Sequence, residues 1–236
     1  MQTYREQIIV DDSGMNLFMA RPESEKPLPA VVVIQHQNGV DRFTEEMTER
    51  AAAAGYVAVA PDLYHRDGPD CKDDGPTRRG RVRDVNVIKD VAATVNYLKA
   101  HKAVDGGHMA IIGFCMGGRV AYLMAAAGRD FRAAITWYGG SCFRKWGDGP
   151  TPFERTAEIN CPIQGHFGAT DQNPSLDDMA KLDLELTKHG KGHDFYAYKD
   201  TGHAFMDRHH PEKYVAESDR VSWQRGMEFL KKHLAV

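Results

Sequence analysis

MAIIGFCMGGRVAYLMAAAG, residues 109–128, passes from a short apolar run into a glycine-flanked cysteine and then into a helix-forming segment. Ile111 and Ile112 suit a buried strand, and VAYLMAAA suits a helix packed on it. Between them GFCMGG (113–118) has the layout of a strand–turn–helix elbow. In such a turn the glycines let strand and helix approach closely, while the central residue takes strained backbone angles that push its side chain outward. A helix N-terminus also offers free N–H groups that favour a thiolate and can bind an oxyanion. Two readings of Cys115 stay open on this motif alone: a projecting nucleophile, or a small packing residue among glycines.

Outward from the motif, apolar β-branched runs alternate with helix-period segments. Strands are expected at 7–10, 17–20, 30–35, 57–61, 109–113, 133–138, 162–167 and 194–198. Helices are expected at 43–54, 81–101, 117–127, 175–189 and 213–234, with 65–80 as a long polar loop. Strand–helix alternation with continuously apolar strands predicts a mostly parallel central sheet covered by helices on both faces. The first two strands have no helix between them and are expected to form an antiparallel edge. Gly55 and Gly190 read as helix stops, Ser175 with Asp178 as a capping start, and Pro211 as a first-turn proline. The length of 236 residues suits one α/β domain over 1–236.

Composition narrows the function. With 30 basic and 33 acidic residues the formal charge is −3, and no basic stripe marks a nucleic-acid surface. No apolar stretch reaches membrane-spanning length, and the N-terminal residues lack the basic start and apolar run of a signal peptide. A cytoplasmic protein acting on a small molecule, as a monomer or homodimer, is expected. Cysteines 71, 115, 142 and 161 show no metal-like or scaffold-like spacing, so free thiols are expected. His209 and His210 are adjacent with no third ligand in register, so no metal site is expected there.

The partners of Cys115 decide between its two readings. Acyl transfer by a thiol needs a base and a group that orients the base. After PIQGHFG (162–168) comes Asp171, and after DFYAY (194–198) comes His203 in KDTGHAF. Nucleophile, acid and histidine thus follow one another after successive strands, the chain order of α/β hydrolases. Either residue alone would be an ordinary loop residue; the joint placement favours catalysis by Cys115, Asp171 and His203.

With these pieces the chain resembles the dienelactone hydrolase family (carboxymethylenebutenolidase-like α/β hydrolases). The matching segments are GYVAVAPDLY (55–64), GFCMGG (113–118), WYGG (137–140), GATD (168–171) and GHAF (202–205). The resemblance implies an α/β-hydrolase fold and cofactor-free hydrolysis of esters or lactones through a Cys-His-Asp triad. It implies an oxyanion hole from the backbone N–H groups of Met116 and Gln37. It also implies substrate contacts from His36, Tyr64, Arg66, Trp137, Tyr138, Phe205 and Arg208. Two departures stand out. His36 replaces a glutamate that contacts the resting thiol in dienelactone enzymes, so it is expected either to favour the thiolate or to touch substrate. In GHAFMDRHH, Asp207 falls where a carboxylate-binding arginine belongs, with Arg208 one place later, which argues for an ester or lactone of different shape. Outside hydrolysis, a non-catalytic small-molecule binder and a thiol acyltransferase are the alternatives.

Overall fold

A computed structural model describes residues 1–234. Eight strands form one sheet: β1 (Gln2–Val10), β2 (Ser13–Arg21), β3 (Leu28–Ile34), β4 (Val57–Pro61), β5 (Val104–Phe114), β6 (Phe131–Trp137), β7 (Ile163–Gly168) and β8 (His193–Tyr198). Their spatial order is β1-β2-β4-β3-β5-β6-β7-β8. β1 pairs antiparallel with β2, and β2 with β4; every other pair is parallel. This is the α/β-hydrolase architecture, with the antiparallel N-terminal edge in place.

Among the described residues six α-helices accompany the sheet: α1 (Arg42–Ala53), α2 (Gly75–Arg81), α3 (Asp84–Ala100), α4 (Met116–Ala127), α5 (Leu176–Lys188) and α6 (Ala216–Leu234). Alternation along the strands divides the apolar side chains between two cores. Ala30, Val32 and Ile34 of β3 join Val91 and Leu98 of α3 and Val120 of α4 on one face. Val31 and Val33 join Phe43 and Met47 of α1 and Phe229 and Leu230 of α6 on the other. The central strands β3 and β4 therefore bury both of their faces, which is why VVVI and VAVA are apolar without interruption, whereas the edge strand β8 stays partly exposed.

β1, β2 and β5 start earlier than expected, at Gln2, Ser13 and Val104, α3 starts at Asp84 rather than 81, and two differences are larger. The polar stretch 65–80 contains α2, whose Asp74 side chain accepts from Thr77 N, with a proline in the first turn. That pairing is a helix-start signal hidden in a charged sequence. The last helix begins at Ala216 rather than 213. Val215 N donates to Phe205 O (3.0 Å) and Lys213 N to His210 O (2.9 Å), so residues 206–215 fold back as turns, and Pro211 lies in those turns.

His166 on β7 is fully buried between the Trp137 and Tyr196 rings, with centroids 5.1 and 5.6 Å away. It bonds Tyr198 Oη at 2.9 Å and Gln164 Oε1 at 3.0 Å. Gln164 Oε1 only accepts, so the neutral ring donates from Nε2 and accepts at Nδ1. Burial, with Arg225 nearby, lowers its pKa to about 3. Its contribution to stability is therefore present above about pH 6.5, the ordinary histidine value, and is lost as pH falls toward 3. Urea titrations between pH 7 and 4 are expected to show a shallower loss of stability in His166→Gln than in wild type. Equal slopes would show that His166 does not titrate on unfolding.

Candidate active site

β5 ends at Phe114 and α4 begins at Met116, so one residue makes the turn. That residue, Cys115, has φ 54° and ψ −115°, a conformation a side-chain-bearing residue adopts only when its surroundings impose it. The restraints are visible. Cys115 N donates to Trp137 O on the neighbouring strand (3.0 Å), and Cys115 O accepts from Gly118 N (3.0 Å) and Arg119 N (3.3 Å). A Cβ on Gly113 would collide with the Gly117 carbonyl, and one on Gly117 with the Ile34 carbonyl. Glycine at these two positions lets helix, turn and strands close on one another. The cysteine side chain is pushed into a cleft of about 480 Å³ at the C-terminal end of the sheet.

Asp171, His203, Tyr138 and His36 line the same cleft. His203 Nδ1 lies 2.7 Å from Asp171 Oδ2, and Asp171 is almost wholly buried. The other Asp171 oxygen accepts from Asn173 N at 2.9 Å. Thr170 N donates to Thr201 O (2.9 Å), tying the two partner-bearing loops together. Nε2 of His203 is thereby left for the Cys115 sulfur. Burial opposes charge on this imidazole, but hydrogen bonding to Asp171 and Cys115 and their negative charge outweigh it and raise its pKa to about 10. Cys142 and Cys161 contrast with Cys115: both are buried, and burial pushes their thiols up to about 12.

Met116 and Gln37 also line the cleft. Tyr64, expected as a substrate contact, instead braces these two. Its hydroxyl donates to Gln37 O at 2.8 Å and lies 3.4 Å from Met116 Sδ, while Arg78 stacks on its ring at 4.4 Å. His36 reaches the cleft wall, but its Nε2 is taken by Asp41 Oδ2 at 2.8 Å, and its ring packs on Phe43. Asp41 is the N-cap of α1, accepting from Thr44 N, so His36 is locked to the start of that helix.

The dienelactone hydrolase family model matches residues 15–234. The chain belongs to the dienelactone hydrolase family. Members are carboxylic ester and lactone hydrolases, and this chain is one of them. It is 32% identical over 227 residues to a protein of Escherichia coli K12 assigned as a carboxymethylenebutenolidase, covering 93% of this chain and 83% of that one. A Bradyrhizobium protein assigned as a 2-oxo-3-(5-oxofuran-2-ylidene)propanoate lactonase is 30% identical over 224 residues, covering 92% and 89%. Among solved structures, a protein of Klebsiella pneumoniae subsp. pneumoniae MGH 78578 assigned as a dienelactone hydrolase superposes with TM-score 0.90 at 30% identity, covering 97% and 98%.

Within this dienelactone hydrolase fold several expected substrate contacts lie elsewhere. Arg66 is outside the cleft: its guanidinium grips both oxygens of buried Asp90 at 2.7 Å and reaches Asp11 at 2.9 Å. Arg208 is held by Asp219 at 3.1 Å on the surface. Trp137 is fully buried, stacked between Phe114 and His166 and against Trp223. Phe205 is buried against Tyr138 and Tyr198. Of the aromatic candidates Tyr138 alone lines the cleft, its ring edge-on to His203 at 5.2 Å. The arginine that does face the cleft is Arg79, on α2. Asp207 lines the cleft as well, bonded to His210 Nδ1 at 2.8 Å.

A second residue missed in the sequence is Arg119, one turn into α4 and fully buried. It makes a bidentate pair with Asp84 (2.6 and 2.9 Å) and donates to the carbonyls of Ser141 (3.1 Å) and Arg144 (2.8 Å). Its guanidinium also lies 3.7 Å from the Trp146 ring centroid. Thus one buried cation shapes the 141–146 wall of the cleft from the elbow helix itself. Removing its counter-charge leaves a buried, uncompensated guanidinium, so Asp84→Ala is expected to cost about 3–5 kcal/mol in urea unfolding. A loss under 1 kcal/mol would mean that water takes over the site.

His203 yields a direct spectroscopic expectation. Its imidazole should titrate near pH 10 by NMR in wild type and at clearly lower pH in both Cys115→Ala and Asp171→Asn. A wild-type midpoint at the ordinary histidine value would show that Asp171 and Cys115 do not hold the imidazole protonated.

Proposed function

We propose that this chain cleaves a small ester or lactone through Cys115 as nucleophile, His203 as acid and base, and Asp171 as the residue orienting His203. The observation that carries the reading is the His203–Asp171 bond of 2.7 Å in the cleft into which the strained Cys115 turn projects. The raised pKa of His203 supports an imidazolium beside the Cys115 sulfur at rest. The sulfur attacks the carbonyl carbon, and the carbonyl electron pair moves onto oxygen. Backbone N–H groups of Met116 and Gln37 stabilise that oxyanion, a contribution of about 3 kcal/mol per donor in related hydrolases.

Collapse of the tetrahedral intermediate breaks the ester C–O bond, and the Nε2 proton of His203 passes to the leaving alkoxide. Water then gives a proton to the same nitrogen as its oxygen attacks the thioester. The C–S bond breaks, and thiolate and imidazolium are restored. Asp171 keeps Nδ1 protonated throughout, which presents Nε2 to the reacting atoms. With a lactone the alkoxide stays attached, and one hydroxy acid leaves. Arg79 and the Asp207–His210 pair form part of the cleft wall and supply charge to sort substrates. In this reading the whole chain acts as one catalytic domain.

The test is an activity screen over aryl esters, simple lactones and dienelactone. Cys115→Ala is expected to lose activity by about 1,000-fold or more, and Asp171→Asn by about 10,000-fold in kcat through loss of the working tautomer. Full activity in Cys115→Ala would overturn the proposal. Rapid quenching with a slow ester should trap acyl groups on wild type and none on that variant.

A further inference from the structure

Arg79 and Trp146 do not close the catalytic cleft. On their far side a second hollow of about 430 Å³ opens, and Arg79, Ser141 and Trp146 line both. The second hollow also presents Arg83, Arg144 and Lys145. In a chain whose formal charge is −3, four cations gather there beside a single carboxylate, Asp148. None of the four forms an ion pair among the described residues. Arg83 donates only to the carbonyls of Gly80 and Val82, each at 2.9 Å, which leaves its charge uncompensated. The neighbouring Arg78 and Arg81 differ, since both are held by Asp67.

The floor of this hollow is built rather than loose. Buried Arg119 binds the Ser141 and Arg144 carbonyls and stacks on Trp146, so the backbone that carries Arg144 and Lys145 is fixed from below. The side chains remain solvated above it, and seating an anion there needs little desolvation of the protein.

We propose that this hollow seats a doubly charged anionic group, of the phosphate type, carried by the substrate at the end remote from the scissile carbonyl. The inference rests on the hydrolase reading and adds a substrate class: esters or lactones long enough to run past Arg79 and ending in a dianion. Several cations lining one hollow favour a dianion over a single carboxylate, because each can add a charge-assisted contact to it. The field of the hollow also draws such substrates toward Cys115, an effect that salt screens.

Three p-nitrophenyl esters of equal acyl length, ending in methyl, carboxylate or phosphonate, test the proposal. In wild type kcat/KM is expected to rise in that order, with the advantage shrinking at high salt. In Arg144→Gln/Lys145→Gln the phosphonate advantage should fall about 10-fold while the methyl ester reacts as in wild type. Equal kcat/KM for the three esters in wild type, or an unchanged advantage in the double variant, would overturn the seat. Binding of phenylphosphonate to Cys115→Ala, followed by tryptophan fluorescence, separates the two readings. If no ester is hydrolysed yet this binding weakens with the Gln substitutions, the hydrolase reading fails and the seat stands. Binding that ignores the substitutions removes the seat whatever the enzyme hydrolyses.

Discussion

The close approach of backbone at the elbow is the constraint on which the rest depends. Gly113 and Gly117 leave no room for a Cβ, because each would meet a carbonyl of a neighbouring turn or strand. That contact forces Cys115 into its positive-φ conformation, and the strain is offset by the bonds its backbone makes to Trp137, Gly118 and Arg119. One geometric requirement thus aims the sulfur at the cleft and puts the N-terminus of α4 beneath it. Strain stored at a reacting residue persists only where packing over-determines it, and two buried cores supply that packing.

Around the elbow, the residues of the proposed site are held by partners outside the proposed triad. Tyr64 joins the Gln37 loop to Met116. Asn173 N holds the second oxygen of Asp171. Arg119, satisfied by Asp84 and two carbonyls, fixes the wall that carries Ser141 and Trp146. Preorganised donors matter because their reorientation then costs nothing as charge develops. Two arginines expected to bind substrate are instead held by other carboxylates, Arg66 by Asp90 and Arg208 by Asp219.

Much of this was legible in the chain. The two-faced apolar strands determined a parallel sheet, since only burial on both sides tolerates such runs. The GFCMGG turn, followed by Asp171 and His203 after later strands, determined which residues are candidates for acyl transfer, because chain order limits where loops can meet. Helix α2 was concealed by charge: its Asp74 cap and first-turn proline were present, but no apolar periodicity accompanied them.

Tertiary structure alone decided which charges face the cleft. Arg66 and Arg79 lie thirteen positions apart in one polar stretch, and nothing local distinguishes them. Asp90 and Asp11, distant in sequence, capture the first, while α2 turns the second toward Cys115. Likewise Trp137 and Tyr138 are adjacent aromatics buried in the same core, yet only Tyr138, turned by a positive φ of 41° just past the end of β6, also lines the cleft. Patterns along a chain record which faces are apolar; the pairing of long-range charges is settled only when the elements have packed.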